Sequence, residues 1–305
     1  MKQVSLEFEL NDELKKQRRQ MFENLLIQPE IIEFKGKYNL SDAEIEPFAQ
    51  RYQRWLINIR LCNGCEGLHM CRQNDRGLIL DMVVDQGILM QEVRKCHFLL
   101  DEESQRSHLK RFIISDMPEH WAQLSLASLD LDNESNEYLL TVDQMARWVR
   151  SPMDKGYYVY GLPGVGKTYL VACVANMMAK NGKTVAFVHV PTLMQRLKSY
   201  LDNRDEFENV IYKMKSADIA VFDDIGAESV TSWVRDELLL PILNDRAERK
   251  RTTWFTSNED LKSLKNHYMY NQKGEKEEMK AIRILERIEA LAVPLQLRGN
   301  NRRKG

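Results

Sequence analysis

The octapeptide GLPGVGKT, residues 161 to 168, constrains the fold more than any other stretch of this chain. It satisfies G-x-x-x-x-G-K-[ST] at every fixed position. Its flanks supply the context the motif needs: an apolar strand before it, YYVY (157–160), and a helical run after it, TYLVACVANMMAKNG (168–182). Gly161, Gly164 and Gly166 allow backbone N–H groups to turn inward around phosphate oxygens. The N-terminus of the following helix adds partial positive charge. Lys167 then reaches the β- and γ-phosphates as a point charge, and Thr168 offers a hydroxyl to Mg²⁺. Pro163, Val165 and the adjoining Tyr169 complete the expected nucleotide-binding stretch.

Two further strand ends fit the same site. DIAVFDDI carries four apolar residues, Ile219 to Phe222, into Asp223 and Asp224, 55 residues beyond Thr168. A buried strand ending in acids delivers them to the carboxyl edge, where open α/β sheets bind ligands. Asp223 is expected to hold Mg²⁺ and Asp224 to act as the base that orients an attacking water. WFTSN (254–258) ends in the same way, and Asn258 is expected to polarise that water beside Asp224.

Strands and helices alternate from about residue 113. TVAFVHV (184–190) reads as a buried strand and PTLMQRLKSYL as a helix with Leu193, Leu197 and Leu201 four apart. SVTSWVRDELLLPILNDRAERK is a helix interrupted near Pro241. TTWFTSN is a strand, EEMKAIRILERIEAL a helix and AVPLQLRG a last strand. Near-continuously apolar strands in this alternation predict an α/β fold with a parallel sheet covered on both faces.

The front of the chain is different. Residues 1 to 60 read as charged helices, with Ser41 and Glu44 spaced as a capping box and Trp55, Leu56 and Ile59 on one side of the helix that follows. LILDMVVDQGILMQEVRKCHFLL (78–100), broken at Gly87, predicts a hairpin or two short strands. The polar run DEESQRSHLKRF (101–112) is expected to link a domain over 1–100 to one over 113–305.

The order GLPGVGKT, DIAVFDDIGAE, FTSN and RILERI before a short final strand resembles the AAA+ ATPases. SWVRDELLLPILNDR and RIEALAVPLQLRGNNRR narrow the resemblance to the bacterial helicase-loader group. That resemblance covers nearly the whole chain. It implies an AAA+ P-loop domain preceded by a small, mostly helical zinc-binding domain. It also implies an ATPase that delivers the ring-shaped replicative DNA helicase onto single-stranded DNA, with the front domain on the helicase and the back domain on ATP and DNA. By the same likeness Asn258 is the Sensor 1 residue. Arg287 is the arginine finger that reaches a neighbour's nucleotide, with Arg283 as second candidate, so self-association in the ATP state is expected. Two departures matter. Asp224 stands where many AAA+ proteins have Glu, which suits a slow switch better than a motor. Only 18 residues follow Arg287, too few for the usual helical lid, so no Sensor 2 arginine is assigned. The basic tail (Arg298, Arg302, Arg303, Lys304) is a candidate for weak phosphate contact with DNA.

Four of the five cysteines follow C-x2-C-x5-C-x24-C from Cys62 through Cys65 and Cys71 to Cys96. Two thiolates on a knuckle plus two distant ones can close a tetrahedral Zn²⁺ site. The resemblance supports Cys62, Cys65 and Cys96 as ligands. It also implies a histidine between the second and last cysteines, yet residues 72 to 95 hold none. Cys71 is therefore the expected fourth ligand, with His69 and His97 in reserve. A redox pair or buried reduced cysteines are the alternatives. Cys173 reads as core.

Composition restricts the rest. The chain has 305 residues, 43% hydrophobic and 29% charged, with net charge −1, so any nucleic-acid contact must come from local patches. No secretory signal, no run of about 18 apolar residues and no membrane contact are expected, which makes the cytoplasm the expected compartment. Two other classes compete with the loader: a P-loop kinase, which would carry an arginine-rich lid, and an ATP-binding adaptor without significant hydrolysis.

Overall fold

The computed structural model describes residues 12–132, 134–270 and 274–302. They fall into two compact units, divided between Ser104 and Gln105.

The front unit begins with four helices: α1 (Asp12–Leu26), α2 (Pro29–Tyr38), α3 (Asp42–Ile45) and α4 (Ala49–Arg60). The expected capping box is formed, with the Ser41 N–H donating to Glu44 Oε2 at 2.8 Å. α4 buries Tyr52, Trp55 and Leu56, and the Trp55 ring meets Phe34 edge-on at 5.3 Å. Residues 78–95 form a hairpin of β1 (Leu78–Asp85) and β2 (Ile88–Lys95). Its two-residue turn places Gln86 and Gly87 at φ 47° and 79°, the left-handed pair whose twist matches that of the strands. The indole N–H of Trp55 donates to Asp81 Oδ1 at 2.7 Å and fastens the hairpin to α4.

The expected linker, 101–112, contains the division between the two units and is largely helical. Helix α5 (His97–Arg106) runs into it, a 3₁₀ turn covers Ser107–Arg111, and β3 (Phe112–Ser115) starts at its last residue. The stretch contains neither Gly nor Pro, so its polarity marks an exposed helical surface rather than a break. The turn is pinned by buried His108, whose ring nitrogens lie 3.0 and 2.9 Å from the carbonyls of Gln105 and Ala122.

The back unit continues with α6 (Asn136–Arg150), β4 (Gly156–Tyr160), α7 (Lys167–Lys180), β5 (Val185–His189), α8 (Val190–Ser199), α9 (Arg204–Ser216) and β6 (Ile219–Asp223). A π-helical stretch (Trp233–Leu239) leads into α10 (Leu240–Glu248), followed by β7 (Thr252–Ser257), α11 (Leu261–Met269), α12 (Glu278–Leu291) and β8 (Ala292–Gln296). The strands form a six-stranded parallel sheet in the order β3-β5-β6-β7-β4-β8. Both faces are covered. Tyr158, Val188, Phe222 and Phe255 enter one core, while Tyr157, Val159, Phe187, Val221 and Trp254 enter the other. The expected interruption near Pro241 takes the form of the π stretch. Proline at the start of α10 supplies no N–H and crowds the preceding turn, which widens there. Leu201 departs from expectation. It lies beyond the end of α8 and is 61% exposed, whereas Leu193 and Leu197 are buried.

Two buried arginines tie the elements of the back unit together. Arg235, in the π stretch, pairs with Asp236 at 2.7 Å and Glu277 at 2.6 Å and donates to the Tyr268 carbonyl. Arg246, fully buried on α10, donates to Thr253 Oγ1 and to the carbonyls of Met214, Lys215, Ala217 and Thr252. It satisfies carbonyls that the C-terminus of α9 leaves without helical partners. Arg246→Ala should orphan several buried acceptors at about 1–3 kcal/mol each. The expected result is a loss of about 3 kcal/mol or more in urea unfolding, with Arg246→Lys recovering only part.

Candidate nucleotide-binding site

The sheet positions the site through strand adjacency. β4 pairs with β7 and β7 with β6, all parallel, so the three strands end side by side at one edge. β4 leads into the glycine loop, β6 ends in Asp223 and β7 leads into Asn258. A cavity of about 710 Å³ opens at this edge, and its wall includes Pro163, Gly164, Gly166, Lys167, Thr168, Tyr169, Asp223, Asp224 and Asn258.

Within the loop, Gly164 and Gly166 have φ of 86° and 101°, values that L side chains rarely adopt. Gly166 leads directly into α7, which places a helix N-terminus at the cavity. Val165 does not face the cavity. Its side chain is buried in the core, which leaves only its backbone to the loop. Tyr169 packs edge-on against Trp121 at 5.6 Å, and both rings line the cavity.

A chain of hydrogen bonds joins the three strand ends. The Lys167 ammonium donates to the carbonyls of Gly161 and Leu162 at 2.9 and 3.0 Å and to Asn258 Oδ1 at 2.8 Å. The Asn258 amide in turn donates to Asp224 Oδ1 at 3.2 Å. Asp224 sits at φ 58°, a left-handed conformation that Asp tolerates better than most residues. Its N–H is held by Thr256 Oγ1 at 2.9 Å. Asp223 is buried and accepts from Thr256 Oγ1 at 2.6 Å and from the Thr168 hydroxyl. Burial pushes the Asp223 carboxyl above the usual carboxylate range and the neighbouring Asp224 charge adds to this, while the two threonine hydrogen bonds oppose it. A buried acid beside a Thr hydroxyl and a glycine loop suits a Mg²⁺–nucleotide, whose metal would offset the desolvation of the carboxylate.

Sequence reasoning did not find Asp116, Trp121, Tyr138, His189 or Arg302, which also line the cavity. His189 had a readable signal, because it ends a buried apolar strand at the same edge as Asp223. Its Nε2 lies 3.8 Å from Asp224 Oδ2, and its Nδ1 is 2.8 Å from Thr192 Oγ1. The two described basic residues of the tail are both engaged. Arg298 pairs with Glu137 at 3.2 Å, Arg302 pairs with Glu134, and Arg303 and Lys304 lie outside the described residues. Arg287 and Arg283 are exposed on α12, away from this cavity, and Arg287 Nε donates to Asn244 Oδ1 at 2.5 Å.

A profile of the IstB-like ATP binding protein family matches residues 80–304, the whole back unit and the hairpin end of the front one. The chain belongs to the IstB-like ATP-binding family. Among relatives in that company is the replicative helicase loader DnaI of Bacillus subtilis strain 168, 30% identical over 299 residues, which covers 95% of this chain and 94% of the relative. The replicative helicase loader DnaC of Escherichia coli K12 is 25% identical over 105 residues, 34% of this chain and 42% of that protein. A crystal structure of DnaI overlays with a TM-score of 0.53 and 34% identity, over 64% of this chain and 98% of that one.

The cysteines gather around a second cavity, of about 230 Å³, in the front unit. Cys62, Cys65, Cys71, Cys96 and His97 line it, whereas His69 is not in its wall. Cys62 Sγ accepts from Gln73 Nε2, and Cys71 Sγ from the Gly77 N–H, both at 3.3 Å. All four cysteines are free thiols. Among the described residues no three His, Cys, Asp or Glu side chains stand in an arrangement that holds a metal ion, so the cavity collects the four sulfurs without forming a closed ligand set. Cys173 is buried in α7 as expected, with its thiol pushed up to about 12 by burial. No helix among the described residues is long and apolar enough to cross a membrane.

The raised Asp223 carboxyl fixes the sign of a pH effect. The folded chain keeps this proton to higher pH than the unfolded chain does. Its contribution to stability therefore falls as pH rises from the ordinary Asp range through the raised value. Asp223→Asn should abolish that part of the slope and leave the nucleotide-free protein as stable as wild type or more so, by about 2–4 °C in Tm per kcal/mol relieved. The same change should abolish Mg²⁺ dependence of nucleotide binding. Thermal scans from pH 4 to 8 and titrations with and without Mg²⁺ check both parts.

Proposed function

We propose that the protein is an ATP-dependent loader that delivers a replicative DNA helicase onto single-stranded DNA. The observation that carries this reading is similarity to a helicase loader over 95% of the chain, front unit included. A likeness confined to the ATPase half would leave the partner open. The site supports an AAA+ ATPase with slow turnover. In the mechanism, Lys167 would exchange its loop carbonyls for phosphate oxygens, Thr168 and Asp223 would hold a Mg²⁺ that offsets the phosphate charge, and the backbone of the glycine loop would cradle the phosphates. Asp224 takes the proton of the attacking water, and Asn258, bonded to both Lys167 and Asp224, keeps water and γ-phosphate in register. The Asp side chain is one methylene shorter than Glu and its backbone is constrained, which favours a switch over a motor. Arg287 lies outside its own chain's cavity, as a finger acting in a neighbour must, and so implies self-association in the ATP state. The back unit would contact single-stranded DNA and the front unit the helicase.

In this reading the front unit carries a structural Zn²⁺ held by Cys62, Cys65, Cys71 and Cys96. The four share one cavity, and N–H donors already point at two of the sulfurs, as they do toward metal-bound thiolates. The ion would close the ligand set by drawing the sulfurs together, and His97 is the remaining donor in the wall.

Pull-down of the host's replicative helicase by residues 1–104 tests the function directly. Retention independent of nucleotide is expected, and no retention by either this fragment or the full chain rejects the loader reading. Asp224→Asn should retain ATP affinity and lower hydrolysis by about ten-fold or more. Arg287→Ala should retain affinity yet lose ATP-promoted association and stimulated turnover. Equal turnover in wild type and Asp224→Asn would favour an adaptor that does not hydrolyse ATP. For the metal, elemental analysis of native protein should give one Zn²⁺ per chain. Chelation should unfold the front unit and spare ATP binding. Metal-free native protein would return the cysteines to packing.

A further inference from the structure

The chain crosses back over its own glycine loop after β8. The Leu297 N–H donates to the Tyr160 carbonyl at 2.8 Å, which carries the line of β8 past the end of β4. Five residues later the Arg302 N–H donates to the Gly164 carbonyl at 2.9 Å. Between them the Asn301 side chain lies so close to Gly164 that a Cβ there would stand 2.2 Å from Asn301 Oδ1. The tail is thus seated on the loop by a backbone hydrogen bond, with the Asn301 side chain lying against Gly164.

This path places a cation in the cavity wall. The Arg302 guanidinium lies 4.4 Å from the centre of the Tyr138 ring and pairs with Glu134, at the approach to α6. A Cβ built on Gly166 would stand 3.4 Å from Arg302 Nε, so the guanidinium borders the backbone that cradles phosphate. Among the described residues of the wall, Lys167 and Arg302 are the two permanent cations, against Asp116, Asp130, Asp223 and Asp224. A nucleoside triphosphate and its Mg²⁺ bring net negative charge into a wall where acids outnumber bases. A planar donor fork at the loop matches phosphate oxygens.

We propose that Arg302 binds the phosphate chain of the nucleotide in cis, and that Glu134 holds the guanidinium beside the loop and competes with phosphate for it. This inference rests on the nucleotide-site reading above and adds to it a residue of the same subunit.

Calorimetric titration of the full chain with Mg²⁺–ATP and Mg²⁺–ADP tests it. Arg302→Ala should weaken both nucleotides about ten-fold or more, and Arg302→Lys should recover part of the loss. Glu134→Gln should tighten both about three-fold, because it frees the guanidinium. A tail that merely clamps the fold predicts the opposite for Glu134→Gln, since losing the pair would loosen the tail and weaken or leave affinity. Unchanged or weaker binding by Glu134→Gln therefore overturns the proposal, as does normal affinity in folded Arg302→Ala. If Arg302→Ala fails to fold, Arg302→Lys and Glu134→Gln decide. Lys167→Ala separates the two layers. Its loss of binding beside a normal Arg302→Ala sinks only the tail's role, whereas normal binding by Lys167→Ala removes the nucleotide site and this inference together.

Discussion

Parallel pairing of β7 between β4 and β6 is the constraint on which the rest of the structure depends. It sets the ends of three strands side by side and so lets one hydrogen-bond chain run from Lys167 through Asn258 to Asp224. Shifting any of these strands by one residue would turn its side chains to the opposite core and pull its polar end out of the chain. The two cores therefore position the site as much as they stabilise the sheet. Tyr158, Phe222 and Phe255 on one face and Tyr157, Val221 and Trp254 on the other lock register on both sides.

Polar groups in the back unit are buried where they hold geometry. Arg246 absorbs the loose carbonyls at the end of α9, and Arg235 ties the π stretch to the start of α12. Asp223 is a different case. It is an acid pushed above its usual range by burial, with hydroxyl partners that only partly offset the penalty. The front unit shows a related economy on a smaller scale. Phe34, Tyr52 and Trp55 meet Ile31, Ile45 and Met82 in its core, an indole hydrogen bond helps fasten the hairpin, and four cysteines line a cavity.

Much of the site was legible in the sequence because it lies on short local motifs. GLPGVGKT, the Asp-Asp end of β6 and the Asn258 end of β7 each carry their chemistry within a few residues, and alternation of apolar strands with helices placed them on one sheet edge. Other parts were illegible for specific reasons. α6, α9 and α11 passed without assignment, although α6 carries helical spacing in Tyr138, Val142, Met145 and Val149. The helical character of 101–112 was not legible, because polarity distinguishes exposed from buried, not helix from coil. Arg302 looked like a solvated tail because its partners, Glu134 and Gly164, are more than 130 residues away in the chain.

The sequence by itself determined the glycine loop, the acids and the amide that share its cavity, the parallel α/β class and the clustering of thiols in a separate front unit. These follow from residue type, spacing and periodicity, which are local properties of a chain. Tertiary structure alone decided that Val165 faces the core while Tyr169 faces the cavity, and that Leu201 is exposed. It also decided that Cys71 shares a cavity with the other three cysteines, and that the last described residues return to the glycine loop. Each of these depends on which distant segments come within a few ångströms. That is set by packing within each unit, and no local pattern encodes it.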